Sequence, residues 1–231
     1  MDIATSSSER VYRNKGNAPL MALLEGEVGR VLDIGCGAGD NAALIRRMFP
    51  ECEIHGVTRS EAEARIARPI MTSCRVCDIE HGVPQDIRDM RFDVLIFSHV
   101  LEHLRHPDLV AREFSLLLRT GGFVLIAVPN VLAWATRWRL LIGKFEYQSE
   151  GVLDDTHLRF FTYFTADRYL LQKCPDLKLV FKGVSGTVPL WLLRRHVLPT
   201  SWSRTVDAAG CRLWPNLFGS QILIKARRVA P

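Results

Sequence analysis

Asp33, Gly35, Gly37 and Gly39 stand at alternate positions in the stretch Arg30-Val31-Leu32-Asp33-Ile34-Gly35-Cys36-Gly37-Ala38-Gly39-Asp40. Glycines at this spacing let a ligand approach backbone N–H groups closely, so the stretch has the chemistry of a nucleotide-cofactor cradle. A dinucleotide fingerprint spaces its glycines G-x-G-x-x-G. Here Asp40 occupies the third glycine position and the last glycine arrives one residue early, at Gly39. Asp33 would repel a pyrophosphate, yet it suits a ligand that carries an ammonium and a sulfonium. The pattern favours S-adenosylmethionine (SAM) over NAD.

A second group with chemical potential is His99-Val100-Leu101-Glu102-His103. As a bare pattern, H-x-x-E-H matches an inverted zinc-protease motif. That chemistry needs the motif within a helix and a third ligand downstream, whereas His99 follows a predicted strand. No metal site is assigned. Cys74 and Cys77 form a C-x-x-C without a second pair, and on a strand their side chains point to opposite faces.

The elements that must position these residues follow from hydrophobic periodicity. Val31–Ile34 reads as a buried strand, and residues 41–49 as a helix ended by Pro50. Residues 52–58 read as a second strand, with Ser60 capping a helix to Ala67. Residues 73–77 suggest a third strand, and 91–98 a fourth, whose continuous apolar run suits the middle of a parallel sheet. A helix over 108–118 leads through Gly121-Gly122 into a fifth strand, 123–128. A helix at 166–172 and strands at 177–181 and 221–225 complete seven strands. Upstream, a helix is expected between Arg10 and Glu25, with Asn17 as its cap and Pro19 near its first turn.

The glycine motif, read as D-x-G-x-G-x-G, resembles the first motif of class I SAM-dependent methyltransferases. The segments "HVLEH", "GG-strand-P-N" and "G-x-F-x-Y…G-x-L-D-x-T-H-L-R-F-F-T" closely resemble bacterial methyltransferases of the MetW-like group. The resemblance runs from about Tyr12 to Leu171 and again from Phe218 to Lys225. It implies an α/β, Rossmann-like fold: a seven-stranded, mostly parallel sheet with helices on both faces and a substrate-capping insertion. Insertions are expected at about 131–165 and 185–216 of a single domain spanning 10–231, after a disordered stretch, 1–9.

The resemblance further implies that Asp33, Gly35, Cys36, Gly37, Gly39, Thr58, Asp78, Ile79 and Ser98 contact the cofactor. Asp78 would receive the adenine amino group. The family usually carries an acid at the end of the second strand for the ribose hydroxyls. Here Thr58-Arg59 stands there, and Thr58, or Glu61 reaching back from the next helix, would serve instead. Tyr12, Asn130, Tyr147, Asp154 and Arg159 are the substrate-side candidates. Methyl transfer is an in-line displacement that needs positioning, and a hydroxyl or protonated amine also needs a base. His157, in the capping insertion, and His99, at a strand's carboxyl end, are the candidates. A neutral imidazole accepts a proton near pH 7.

The 231 residues carry a formal charge of +5, scattered except for pairs such as Arg46-Arg47. Ser98-His99-Val100-Leu101 is not the N/D-P-P-aromatic motif of base-amine methylases, so no nucleic-acid partner is expected. Six cysteines without compact spacing, a polar amino terminus and no apolar run of transmembrane length point to a reduced, cytoplasmic setting. Residues 188–215, rich in Trp, Leu and Arg, read as a lid over an apolar substrate, a homodimer face, or a peripheral membrane contact. The leading function is methyl transfer from SAM to O or N of a small-molecule acceptor. Arg59 sustains an NADP-binding oxidoreductase as an alternative, and the missing ribose acid a non-catalytic binding module.

Overall fold

The computed structural model describes residues 11, 15–189 and 199–229. Tyr12, a substrate-side candidate, and residues 190–198 of the 188–215 stretch, read above as a lid, a dimer face or a membrane contact, lie outside the described residues, as does the stretch 1–9.

Seven strands form one sheet: β1 Arg30–Ile34, β2 Glu53–Thr58, β3 Ser73–Val76, β4 Phe92–Ser98, β5 Leu118–Pro129, β6 Leu177–Gly186 and β7 Gly219–Arg228. Their order is β3-β2-β1-β4-β5-β7-β6. The pairs from β3 through β5 are parallel. β7 inserts antiparallel between β5 and β6. Chain order reverses beside β1, and in such sheets ligands bind outside the carboxyl ends of the strands at that point.

Side chains alternate across the strands, so successive residues feed two cores. Val31, Ile54, Val94, Ile96 and Leu125 pack with the helices α1 Ala18–Met21, α2 Asp40–Met48 and α3 Glu61–Ala67. Leu32, Ile34, Leu95, Phe97, Val124 and Ile126 pack with α4 Pro107–Ser115 and α6 Ala166–Leu171. Helices therefore cover both faces. Phe97 and Phe114 meet edge-on at 6.1 Å, both fully buried, and truncating either to Ala would cost about 3–5 kcal/mol. Cys74 joins the first core and Cys77 packs against the second, as strand alternation requires.

Local signals explain the element ends. The Ser60 side chain accepts from the Glu63 N–H at the start of α3. In α2, buried Ala42 and Ile45 share one face, and Arg46 in the last turn donates to the Pro50 and Cys52 carbonyls. The upstream helix is shorter than expected, a single turn capped by Asn17. α4 ends at Ser115 and not at 118, because the chain turns at Leu116–Leu117 to begin β5 early. Gly121-Gly122 then lies inside β5, where the register with β4 slips between Phe92 and Val94.

Among the described residues the second insertion holds two helices, α7 Thr200–Leu213 and α8 Pro215–Phe218. In the first, α5 Trp134–Leu141 buries Thr136 and leaves Trp138 and Leu141 exposed. The capping contact comes from the segment after it: Leu158 and Arg159 both donate backbone N–H bonds to the Glu102 carbonyl, and Val131 donates to the Phe161 carbonyl. Among the described residues no helix is long and apolar enough to cross a membrane.

Candidate active site

The loops at the carboxyl ends of β1, β2, β3 and β4 meet at one edge. After β1 the chain turns through Gly35, Gly37 and Gly39, with φ of 75°, 51° and 84°. The N–H groups of Gly35 and Cys36 both donate to the Val57 carbonyl, at 2.8 and 2.9 Å, which ties the turn to β2. A Cβ at Gly35 would lie 2.6 Å from Val100, so this turn closes against the β4 loop only with glycine.

Asp33 sits beneath this turn with no exposed surface. Neither carboxylate oxygen has a hydrogen-bond partner. Burial pushes its pKa up to about 7, and the nearby Asn41 side chain pulls weakly the other way without forming a bond of normal length. A buried, unpartnered carboxylate below an open glycine turn fits a cationic ligand and opposes a pyrophosphate. The cradle thus fits SAM, with Asp33 and the Gly35–Gly39 turn as its holders.

At the end of β2, Thr58 is buried, and its hydroxyl donates to Glu63 Oε2 at 2.5 Å. Glu61 does not reach back: it pairs with Arg68 at 2.7 Å on the surface. The carboxylate that meets Thr58 at the end of β2 is Glu63, also buried. The signal for it was the Ser60-x-x-Glu63 spacing of a capping box, but Glu63 turns to Thr58 instead. Asp78 follows β3, half-buried, and its carboxylate accepts from the Glu80 N–H at 3.0 Å. Ile79 beside it is buried. Ser98 ends β4 and accepts from Asn17 Nδ2 at 3.3 Å.

His99 follows with φ 55°, the one non-glycine among the described residues in the left-handed region. Such a conformation persists where surrounding contacts hold it, and is typical of functional sites. Its Nδ1 lies 3.3 Å from Glu102 Oε1, and its Nε2 donates to Gln221 Oε1 at 2.8 Å. Burial alone would lower its pKa. The Glu102 bond and charge, together with the Gln221 bond, outweigh this and raise it above the ordinary 6.5. Asn17 Nδ2 also donates to Gln221 Oε1, at 2.8 Å. Gln221, on β7, and Asn17 were missed from sequence because only the insertion of β7 beside β5 brings them here.

His157 comes to the same cluster with its side chain almost fully buried. Its Nδ1 donates to the Val152 carbonyl at 3.1 Å, and its Nε2 lies 4.0 Å from Glu102 Oε1. It stacks edge-on with His103, ring centroids 4.8 Å apart.

The substrate-side candidates fare unevenly. Asn130 is fully buried, with its amide donating to the Asn216 and Gly219 carbonyls and its oxygen accepting from Leu132. These bonds make it a structural pin. Asp154 is buried and accepts from the Thr156 N–H and hydroxyl, at 2.8 and 2.5 Å. The hydroxyl of Thr156 lies 2.9 Å from His103 Nδ1. Asp154 thus braces the cluster from behind. Arg159 is bound to the Arg105 carbonyl. Tyr147 is exposed, edge-on to Phe145.

A mixed sheet whose parallel part reverses beside β1, with a glycine turn over a buried carboxylate, has the fold and cofactor cradle of the class I SAM-dependent methyltransferases. Residues 9–171 match the family described as "Methyltransferase domain", and the chain belongs to that family, with SAM as its cofactor. The trans-aconitate 2-methyltransferase of Variovorax paradoxus (strain S110) is 30% identical over 128 residues, covering 52% of this chain and 48% of the relative. The chain thus spans about half the length of that relative. The ubiquinone biosynthesis O-methyltransferase of Mesorhizobium japonicum is 30% identical over 187 residues, covering 69% of this chain and 74% of the relative. A SAM-dependent methyltransferase from Archaeoglobus fulgidus superposes with a TM-score of 0.58 at 21% identity, over 87% of this chain and 86% of that one. Family membership and the unpartnered Asp33 together overturn the NADP reading.

Proposed function

We propose that the chain methylates an oxygen of a small-molecule acceptor, with His99 as the base. The observation that carries this is His99 itself: a strained, half-exposed imidazole at the carboxyl edge that holds the cradle, gripped between Glu102 and Gln221. Oxygen is preferred to nitrogen because the ubiquinone biosynthesis relative, 30% identical over 187 residues, is named for O-methylation.

When bound, the cofactor supplies an electrophilic methyl group on a sulfonium. The residues of the chain do the rest. Asp33 and the glycine turn hold the donor end, and Glu63 with Thr58 faces the ribose. Glu102 fixes the His99 ring through Nδ1. The acceptor hydroxyl takes the place of Gln221 at Nε2. Losing the Gln221 bond removes one of the interactions that raise the His99 pKa, so Nε2 first gives its proton to solvent, and its bare lone pair then takes the hydroxyl proton as the oxygen attacks. His157 is not given this role, because its Nδ1 is committed to Val152 and its Nε2 faces Glu102.

Release of S-adenosylhomocysteine (SAH) from SAM, measured over a panel of small hydroxy, carboxy and amino compounds, tests this reading. Turnover with an oxygen acceptor is expected, and His99→Ala should lower it by about 10²–10⁴-fold with SAH affinity nearly intact. Turnover confined to amines, or unaffected by His99→Ala, would overturn it.

A further inference from the structure

Glu102 is fully buried, yet its Oε2 has no partner. The surrounding groups make this carboxylate an odd tenant. The His157 Nδ1 faces a carbonyl, which only accepts, so that nitrogen carries the ring proton and Nε2 presents a bare lone pair to Glu102. At 4.0 Å the two are too far apart for a hydrogen bond. His103 repeats the arrangement: its Nδ1 meets the Thr156 carbonyl at 3.3 Å and hydroxyl at 2.9 Å, which leaves Nε2 as its available ligand atom. His99 Nδ1 donates to Oε1, but no donor reaches Oε2, so a carboxylate and two imidazoles gather around an unfilled acceptor.

From this convergence we infer that Glu102, His103 and His157 form a binding site for a divalent transition-metal ion, zinc being the best match to the donors. One ligand atom from each lies within 4.8 Å of the others. A tetrahedral zinc with ligands at about 2.0–2.1 Å separates them by about 3.4 Å, so the rings need close by about 1.4 Å at most. Metal-bound histidines typically donate their other ring N–H to a carbonyl, which fixes the tautomer and the ring. Val152 and Thr156 provide that for His157 and His103, and Asp154 holds Thr156 in turn.

The sequence requirement that spoke against a metal, a third ligand downstream of H-x-x-E-H, is met by His157 through the fold. The ligand set differs from the protease pattern, because His99 commits its Nδ1 to Glu102 Oε1 and its Nε2 to Gln221 and is not one of the clustered ligands. Three protein ligands leave a fourth position open. The ion would cross-link the capping segment to the β4 loop, and an acceptor oxygen reaching that position would be a stronger acid. The site shares Glu102 with the methyl-transfer reading, but it is measured separately, on the protein without cofactor or acceptor.

The test titrates metal-stripped protein with Co²⁺ and follows visible absorption, then displaces it with Zn²⁺. One ion per chain with the intense absorption of a four-coordinate site is expected. Glu102→Gln and His157→Ala should each weaken binding at least 100-fold, whereas His81→Ala, an exposed histidine outside the cluster, should leave it unchanged. SAH calorimetry on the same samples reports whether the cradle remains folded. Should Glu102→Gln not fold, the wild-type spectrum and His103→Ala decide the matter. Absence of four-coordinate absorption in the wild type, or binding that survives both His103→Ala and His157→Ala, would overturn the inference.

Discussion

Asp33→Asn isolates the conflict between stability and cofactor binding at the centre of this site. The carboxyl group is fully buried, and its pKa rises from an ordinary 3.8 to about 7. In the unfolded chain it ionises near 3.8; in the folded chain it keeps its proton until about pH 7. Between these values the folded state binds more protons than the unfolded one, so stability falls as pH rises through that window and levels off above it. At about 1.36 kcal/mol per pH unit, the full loss is roughly 4 kcal/mol. Asparagine has nearly the same shape and no charge to bury. Its variant should match the wild type at pH 4 and exceed it at pH 8 by up to roughly 4 kcal/mol, or about 8–16 °C in Tm for a chain of this size. Urea denaturation at a series of pH values measures this, and other titrating groups cancel in the difference. The same substitution removes the partner of the cofactor's cationic end, worth about 1.5–3 kcal/mol, so SAH affinity at pH 8 should fall about 10- to 150-fold. Wild-type affinity should strengthen as pH rises towards 7, while the variant stays flat. Parallel stability curves for the two proteins would refute the reasoning.

Two further outcomes follow from the cradle. Gly35→Ala places a Cβ 2.6 Å from Val100 at a φ of 75°, which costs about 1–2 kcal/mol for the backbone alone; calorimetry should show SAH binding lost before the fold is. Glu63→Ala should weaken SAH binding by about 1–3 kcal/mol, and adding Thr58→Asp, which returns an acid to the end of β2, should restore most of it. Failure of the double variant to recover affinity would separate Glu63 from the ribose.

Much of the fold was legible because the signals that determine it are local. Strand alternation sent Val31 and Leu32 to opposite cores, Ser60 capped α3, and the glycine spacing after Asp33 gave a turn with three positive φ values. These depend on neighbours within a few residues, and so does the periodicity that reveals them. The partners of polar side chains do not. Asn130 looked like a site residue from its place after β5, but α8 and the start of β7 consume its amide. Glu63 replaced Glu61 because helical spacing turns Glu63 inward and leaves Glu61 to Arg68. α5 buries Thr136 yet leaves Trp138 and Leu141 exposed. His99 reaches Gln221 across 122 residues, and Asn17 reaches it across 204. Both contacts exist because β7 threads back between β5 and β6. The sequence by itself determined the cradle, since its geometry is written into consecutive backbone dihedrals. The tertiary structure alone decided which groups surround Glu102 and His99, because strand order, and not chain proximity, sets what a buried side chain meets.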